Sequence, residues 1–166
     1  MDKNKTLEKI AEILHKDCKL SLEQVAAIAE VSVSDAAAFI EELEKDGTIL
    51  GYSAVINWDN FPSRDKVTAY IELKVTPQRH NGFNRIAQQI YQYPEVKSLN
   101  LMSGSYDFGV TVEGDSLKDI SLFVSKHLAP MESVLSTATH FVLKRFKDDG
   151  IIFSSEDEDD REVILL

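Results

Sequence analysis

The run Met102-Ser103-Gly104-Ser105-Tyr106-Asp107 places close together the two kinds of group that hold a small charged molecule. The Asp107 carboxylate is an acceptor for a cationic group. The backbone around Gly104, with the hydroxyls of Ser103 and Ser105, supplies donors for an anionic one. Thr137 and Thr139, two apart in a stretch of strand character, share a face and bring two more hydroxyls. A plainer reading stands beside this one: Ser103-Gly104-Ser105 turns a hairpin and Asp107 caps it. Tyr70, Tyr91, Tyr106 and Phe141 suit a core or a subunit interface better than the walls of a ligand site.

A second set of residues bears on nucleic acid. Ser32 and Ser34 stand where a helix begins, and a helix N-terminus offers free N–H groups and a favourable dipole to a phosphate. Yet the segment from Ser34 to Asp46 carries Asp35, Glu41, Glu42, Glu44 and Asp46 against Lys45 alone. DNA is a polyanion, so each carboxylate there opposes it. Contact through Ser32, Ser34, Asp35 and Lys45, steered by Lys3, Lys5, Lys9, Lys16 and Lys19, is one reading; a solvated acidic face is the other.

Catalysis has little support. No nucleophile sits beside a base, and His15, His80, His127 and His140 are too scattered for a metal site or a paired His and Arg cluster. The single cysteine, Cys18, has no base beside it and reads as a structural or incidental thiol. No cofactor is expected.

The elements that must position these residues are legible from periodicity. Leu7, Ile10, Ile13 and Leu14 form one helical stripe, Leu22, Val25, Ala26, Ile28 and Ala29 a second, and Ala36, Phe39, Ile40 and Leu43 a third. Ser21 with Gln24 makes a capping box for the second helix, and Ser32 or Ser34 opens the third. The short turn Glu30-Val31-Ser32 sets the last two at a steep angle. Gly47 is a natural residue just past the third helix, and Thr48 to Asn57 reads as a wing or linking strand.

From Lys66 to Thr76 the pattern changes to alternation, a strand ended by Pro77. Phe83, Ile86, Ala87, Ile90 and Tyr91 mark a helix before Pro94, and Val96–Met102 and Tyr106–Glu113 are strands. Leu117, Ile120, Phe123, Val124 and Leu128 mark another helix, opened by Asp115 or Ser116 and closed before Pro130. Ser133–Phe146 is a last long strand. The fold class is therefore α+β: an N-terminal winged helix-turn-helix over residues 1–60, then a ferredoxin-like βαββαβ domain over 61–146. An acidic tail follows over 147–166.

Val25-Ala26, Val31-Ser32, Leu43-Glu44-Lys45-Asp46-Gly47-Thr48-Ile49 and Tyr52, followed by Met102 to Asp107 and Ser136-Thr137-Ala138-Thr139, resemble in order and spacing the Lrp/AsnC family of leucine-responsive, feast/famine regulators. The resemblance spans nearly the whole chain. It implies binding to double-stranded DNA, a homodimer assembling to tetramers or octamers, and a small effector, usually an amino acid, held where dimers meet. On that reading Met102, Ser103, Gly104, Ser105, Tyr106, Asp107, Thr137 and Thr139 form the effector site. An apolar outer face of the sheet near Val67 to Val75 pairs the dimer. This chain departs from the family where DNA is read: Glu30 stands where Gly is usual in the turn, Phe39 where Arg is usual, and Glu41 and Glu42 where basic residues are usual.

Charge is unevenly divided. Residues 1–60 hold six lysines and twelve acidic residues, residues 61–146 hold ten basic and eight acidic, and residues 147–166 hold two and eight. The run Glu156 to Asp160 repels itself and reads as a solvated tail, with nucleic-acid mimicry the rarer alternative, and Val163 to Leu166 could dock on a neighbour. No apolar run is long enough to span a bilayer and no signal peptide is apparent, so a cytoplasmic protein that does not engage membranes is expected. Two functions remain: a DNA-binding regulator that senses a small molecule, or an effector-sensing module that has lost DNA binding and acts in mixed oligomers.

Overall fold

The structure is a computed structural model and describes residues 2–61, 63, 66–76 and 82–153, with only the backbone of Asp59. Its contacts divide the chain into two compact units, Met1–Ile56 and Asn57–Leu166.

The first unit is three helices: α1 (Lys3–Lys16), α2 (Leu22–Ala29) and α3 (Val33–Lys45). Their apolar stripes meet, and Ile10, Leu14, Val25, Ala29 and Leu43 are buried together, ringed by Leu7, Ile13, Leu20, Phe39, Ile40 and Ile49. The ends are set by local hydrogen bonds. Ser21 accepts from the Gln24 N–H while the Gln24 side chain accepts from the Ser21 N–H, so both halves of the expected capping box form. Ser32, not Ser34, is the N-cap of α3. Gly47 takes φ +79° just beyond α3, the left-handed conformation that glycine adopts without penalty.

Residues 48–57 form no strand, contrary to the sequence expectation of a wing or linking strand. Their β-forming side chains remain outside any ladder, with Leu50 93 % exposed. A strand needs another strand beside it for its N–H and C=O groups, and among the described residues no strand pairs with this segment.

The second unit opens with a 3₁₀ turn (Trp58–Asn60) and continues β1 (Val67–Val75), α4 (Gly82–Ile90), β2 (Val96–Leu101), β3 (Phe108–Gly114), α5 (Leu117–Phe123) and β4 (Val134–Phe141). The sheet is antiparallel in the order β2-β3-β1-β4, the ferredoxin-like arrangement expected. Directly paired residues share a face, so register assigns the two sides. Leu99, Val110, Ile71 and Thr139 form one row of the inner face, and Leu101, Phe108, Leu73 and Thr137 the next. Ile86, Ile90, Ile120, Phe123, Val124 and Leu128 from the helices close over that face.

The outer face carries Asn100, Gly109, Glu72 and Ala138 in one row and Ser98, Thr111, Tyr70 and His140 in another. It is polar and aromatic, which corrects the expectation of an apolar outer face. The apolar members of Val67–Val75 are those turned inward, because their period of two matches the pleat.

Past α5 the helix widens into a π turn over Val124–Leu128, in which the Ala129 N–H reaches back to the Val124 carbonyl at 2.8 Å. β4 ends at Phe141 rather than continuing to Phe146. Lys147–Asp148 (β5) and Ile151–Ile152 (β6) then pair as a short hairpin at the start of the acidic segment 147–166. Asp149 at φ 43° and Gly150 at φ +79° supply the two left-handed residues that a tight hairpin turn demands. Pro77, the Glu156–Asp160 run and Val163–Leu166 lie outside the described residues.

Candidate effector site and nucleic-acid interface

The loop Met102 to Asp107 joins β2 to β3 and is closed by a hydrogen bond from the Met102 N–H to the Asp107 carbonyl, 2.8 Å. Asp107 is also tied to β1: its N–H donates to the Leu73 carbonyl at 2.9 Å, and its Oδ2 accepts from the Val75 N–H at 2.8 Å. The second bond has a local cause. A register shift between Lys74 and Val75 interrupts the β1–β4 ladder, and β3 begins only at Phe108, so no backbone carbonyl of β3 lies opposite Val75. The carboxylate takes its place. One oxygen of Asp107 therefore serves the fold by holding β1 rather than by capping its own hairpin, while Oδ1 has no partner among the described residues.

Gly104 is less constrained than its place in the motif suggests. Its φ lies outside the left-handed region, and a Cβ there would meet nothing within 4 Å. In this chain the position is open space beside Ser103 and Ser105. Thr137 and Thr139 do share a face, but it is the helix-covered inner face, opposite Leu73 and Ile71. They lie one strand beyond β1 from β3, and with strands about 4.8 Å apart the two halves of the candidate site are separated by roughly 10 Å.

Sequence reasoning missed what stands behind the loop. The Tyr70 hydroxyl is 2.8 Å from that of Tyr106, with the rings edge to face. A Cβ at Gly109 would fall 2.0 Å from the Tyr70 hydroxyl oxygen, so glycine is what allows the ring to lie across the sheet. The bond to Tyr106, with burial second, holds the Tyr70 phenol neutral and pushes its pKa up to about 12. On the same face His140 Nε2 is 3.3 Å from Glu72 Oε1. The available signal was Gly109 itself, a glycine inside an otherwise alternating strand, which marks a close approach.

In the first unit the start of α3 is already occupied. Ser32 Oγ accepts from the Asp35 N–H at 3.0 Å, donates to Asp35 Oδ2 at 2.6 Å and lies 3.0 Å from Ser34 Oγ. Ser32, Ser34 and Asp35 are thus brought together, but around a carboxylate that satisfies the helix dipole a phosphate would otherwise seek. Lys45 is drawn to Glu41 at 2.6 Å and Lys3 to Glu42 at 2.8 Å, while Glu44 accepts from the Tyr52 hydroxyl at 2.8 Å. The contact with Lys45 lowers the Glu41 pKa, and burial followed by the Glu44 bond raises that of Tyr52. These pairs are exposed and individually weak, so they neutralise part of the acidic face without locking it.

Glu30 adopts φ 62°, ψ 43°, a left-handed backbone that a side chain tolerates poorly. This is the turn position where the sequence puts a carboxylate instead of glycine. Among the described residues no cluster of His, Cys, Asp or Glu could hold a metal ion, and no helix is long and apolar enough to cross a membrane.

Comparison with known proteins gives a consistent answer. Residues 68–152 match the model of the Lrp/AsnC ligand binding domain. The chain is 43 % identical over 155 residues to the uncharacterised HTH-type transcriptional regulator YugG of Bacillus subtilis, covering 93 % of each. Among solved structures, the fold matches a transcriptional regulator of Neisseria meningitidis in complex with L-Met, with a TM-score of 0.69 at 22 % identity over 87 % of this chain and 92 % of that one. E. coli AsnC matches with a TM-score of 0.64 at 16 % identity, covering 85 % and 92 %.

Proposed function

Because the chain belongs to the Lrp/AsnC family of HTH-type transcriptional regulators, we propose that it regulates transcription in response to a free amino acid bound beside the Met102–Asp107 loop. The observation that carries this reading is the match of residues 68–152 to the family's ligand-binding domain, which contains the whole loop together with Thr137 and Thr139. The loop has the chemistry for it: an Asp107 oxygen unpaired among the described residues to accept from an ammonium, and open backbone and hydroxyls around Gly104 for a carboxylate. The L-Met bound to the Neisseria regulator, a protein of the same fold, supports an amino acid as the class of ligand. Within one chain Thr137 and Thr139 lie on β4, two strands from β3, on the inner face of the sheet. The site would then be completed in an assembly of dimers.

A second reading follows from α3. With Asp35 at its start and Glu41, Glu42, Glu44 and Asp46 along it, the helix repels a duplex, and the protein would act through mixed oligomers or bind DNA only weakly. The two readings are separated by one experiment, a salt series of binding to the DNA upstream of the protein's own gene, with wild type beside a Glu41→Arg, Glu42→Arg variant. If α3 faces DNA, the variant binds more tightly and its salt slope steepens by about one log unit per added phosphate contact. If α3 faces protein or solvent, both bind near the detection limit. Tight, sequence-selective wild-type binding that the arginines weaken would show that the carboxylates read bases.

A further inference from the structure

We infer that the cleft along α4 is a second binding site, for a free amino acid or a similarly small zwitterion, built within one chain and distinct from the Met102–Asp107 loop. The cleft encloses about 490 Å³, within the range of small-molecule sites. One wall is a flank of α4 (Gly82, Arg85 and Gln89), the other is Met131-Glu132-Ser133 ahead of β4, and Ile86 and Tyr93 supply apolar lining. None of Met102–Asp107, Thr137 or Thr139 lines it.

Its charges are arranged for a ligand rather than for each other. Arg85 from α4 and Glu132 from the segment ahead of β4 both line it, and among the described residues neither side chain makes an ion pair or a hydrogen bond. A guanidinium takes a carboxylate through two parallel N–H bonds, and a carboxylate takes an ammonium, so a molecule carrying both ends satisfies both walls at once. Gln89, Gln92 and Ser133 add neutral donors and acceptors.

The frame is held without using those side chains. The Glu132 wall follows directly on the π turn, a distortion that recurs at functional sites. Backbone bonds fix it: Met131 N–H to the Leu128 carbonyl at 3.2 Å, Val134 N–H to the Met131 carbonyl at 2.8 Å, and Thr76 N–H to the Ser133 carbonyl at 2.8 Å. Tyr93 is wedged against Phe123 and His127, with ring centroids 5.3 and 4.9 Å away. The Glu132 carboxylate and Ser133 hydroxyl are thereby left for a bound molecule.

The test is calorimetric titration of the full chain with each proteinogenic L-amino acid, and with the N-acetyl and carboxamide forms of any that binds. Arg85→Ala, Glu132→Gln and Asp107→Ala variants are run alongside wild type. The expected result is a binding event weakened about ten-fold or more by Arg85→Ala and by Glu132→Gln, and retained in Asp107→Ala. Amidation of the ligand should mimic the first loss and acetylation the second. Arg85 and Glu132 are both exposed, so their replacement leaves the core intact. Wild-type binding in both variants overturns the inference, as does the absence of any heat with every amino acid at about 10 mM. Loss of all binding in Asp107→Ala alone would leave the loop site standing and remove this one.

Discussion

The helical unit and the α+β unit place their charge and their core in opposite ways. Residues 1–56 close over seven buried apolar side chains among the described residues and turn an acidic α3 outward, with its carboxylates tied to Lys45, Lys3 and Tyr52. The second unit buries thirteen such side chains among its described residues, and its polar chemistry is collected at one loop, one cleft and the outer face of the sheet. Residues 68–152 match the family's ligand-binding model, while α3 carries Glu41 and Glu42 at positions where the resemblance leads one to expect basic residues.

The largest effect that could break this contrast concerns the cores. Leu73, fully buried, should cost about 3 kcal/mol on replacement by Ala, and Leu14, at the edge of the smaller core, about 2 kcal/mol. Urea unfolding checks this, with fluorescence of Trp58 reporting the second unit and far-ultraviolet circular dichroism the helices. Equal costs would show that the smaller core is packed as demandingly as the larger.

Asp107 tests whether the loop separates folding from binding. Asp107→Ala leaves the Val75 N–H without its acceptor and should lower stability by about 1–2 kcal/mol. Asp107→Asn keeps an acceptor oxygen and should hold most of that stability, yet lose the rise in melting temperature that a bound amino acid gives wild type. A full thermal response in Asp107→Asn would remove the carboxylate from ligand recognition.

Gly109→Ala should cost about 1 kcal/mol by pushing Tyr70 off the sheet and away from Tyr106. The pH dependence sharpens this. Tyr70 has a folded pKa of about 12 against an ordinary value near 10.0. The stabilisation its neutral phenol brings is therefore fully present below pH 10 and lost as pH rises towards 12. Alkaline unfolding, with tyrosinate absorbance followed alongside, should show this loss in wild type and little of it in Tyr106→Phe.

The smallest effect is a gain. Glu30→Gly relieves the left-handed backbone and gives up only an exposed contact with Lys9, so stability should rise by about 0.5 kcal/mol. A thermal melt resolves it, and a loss instead would mean that the Lys9–Glu30 pair outweighs the strain.

The sequence by itself determined the elements and most of their ends. Helical stripes at Ile10, Val25 and Leu43, alternation through Val67–Val75, and the capping box at Ser21 and Gln24 are patterns that local sterics and burial impose. The βαββαβ order follows from their succession, and the acidity of α3 is legible as composition. Tertiary structure decided what depends on partners distant in the chain. Thr48–Asn57 has the composition of a strand but joins no sheet among the described residues, and the strand expected over Ser133–Phe146 ends at Phe141. Register placed Thr137 and Thr139 on the helix-covered inner face, opposite Leu73 and Ile71. The register shift at Val75 gave Asp107 a structural task, and the lack of a side chain at Gly109 gave Tyr70 its place. Arg85 and Glu132, 47 positions apart, face one cleft only because the sheet brings the start of β4 alongside the end of β1. Periodicity records which side of an element is buried, but which residues meet is set by strand register and by where the chain returns, and neither is written in any local window.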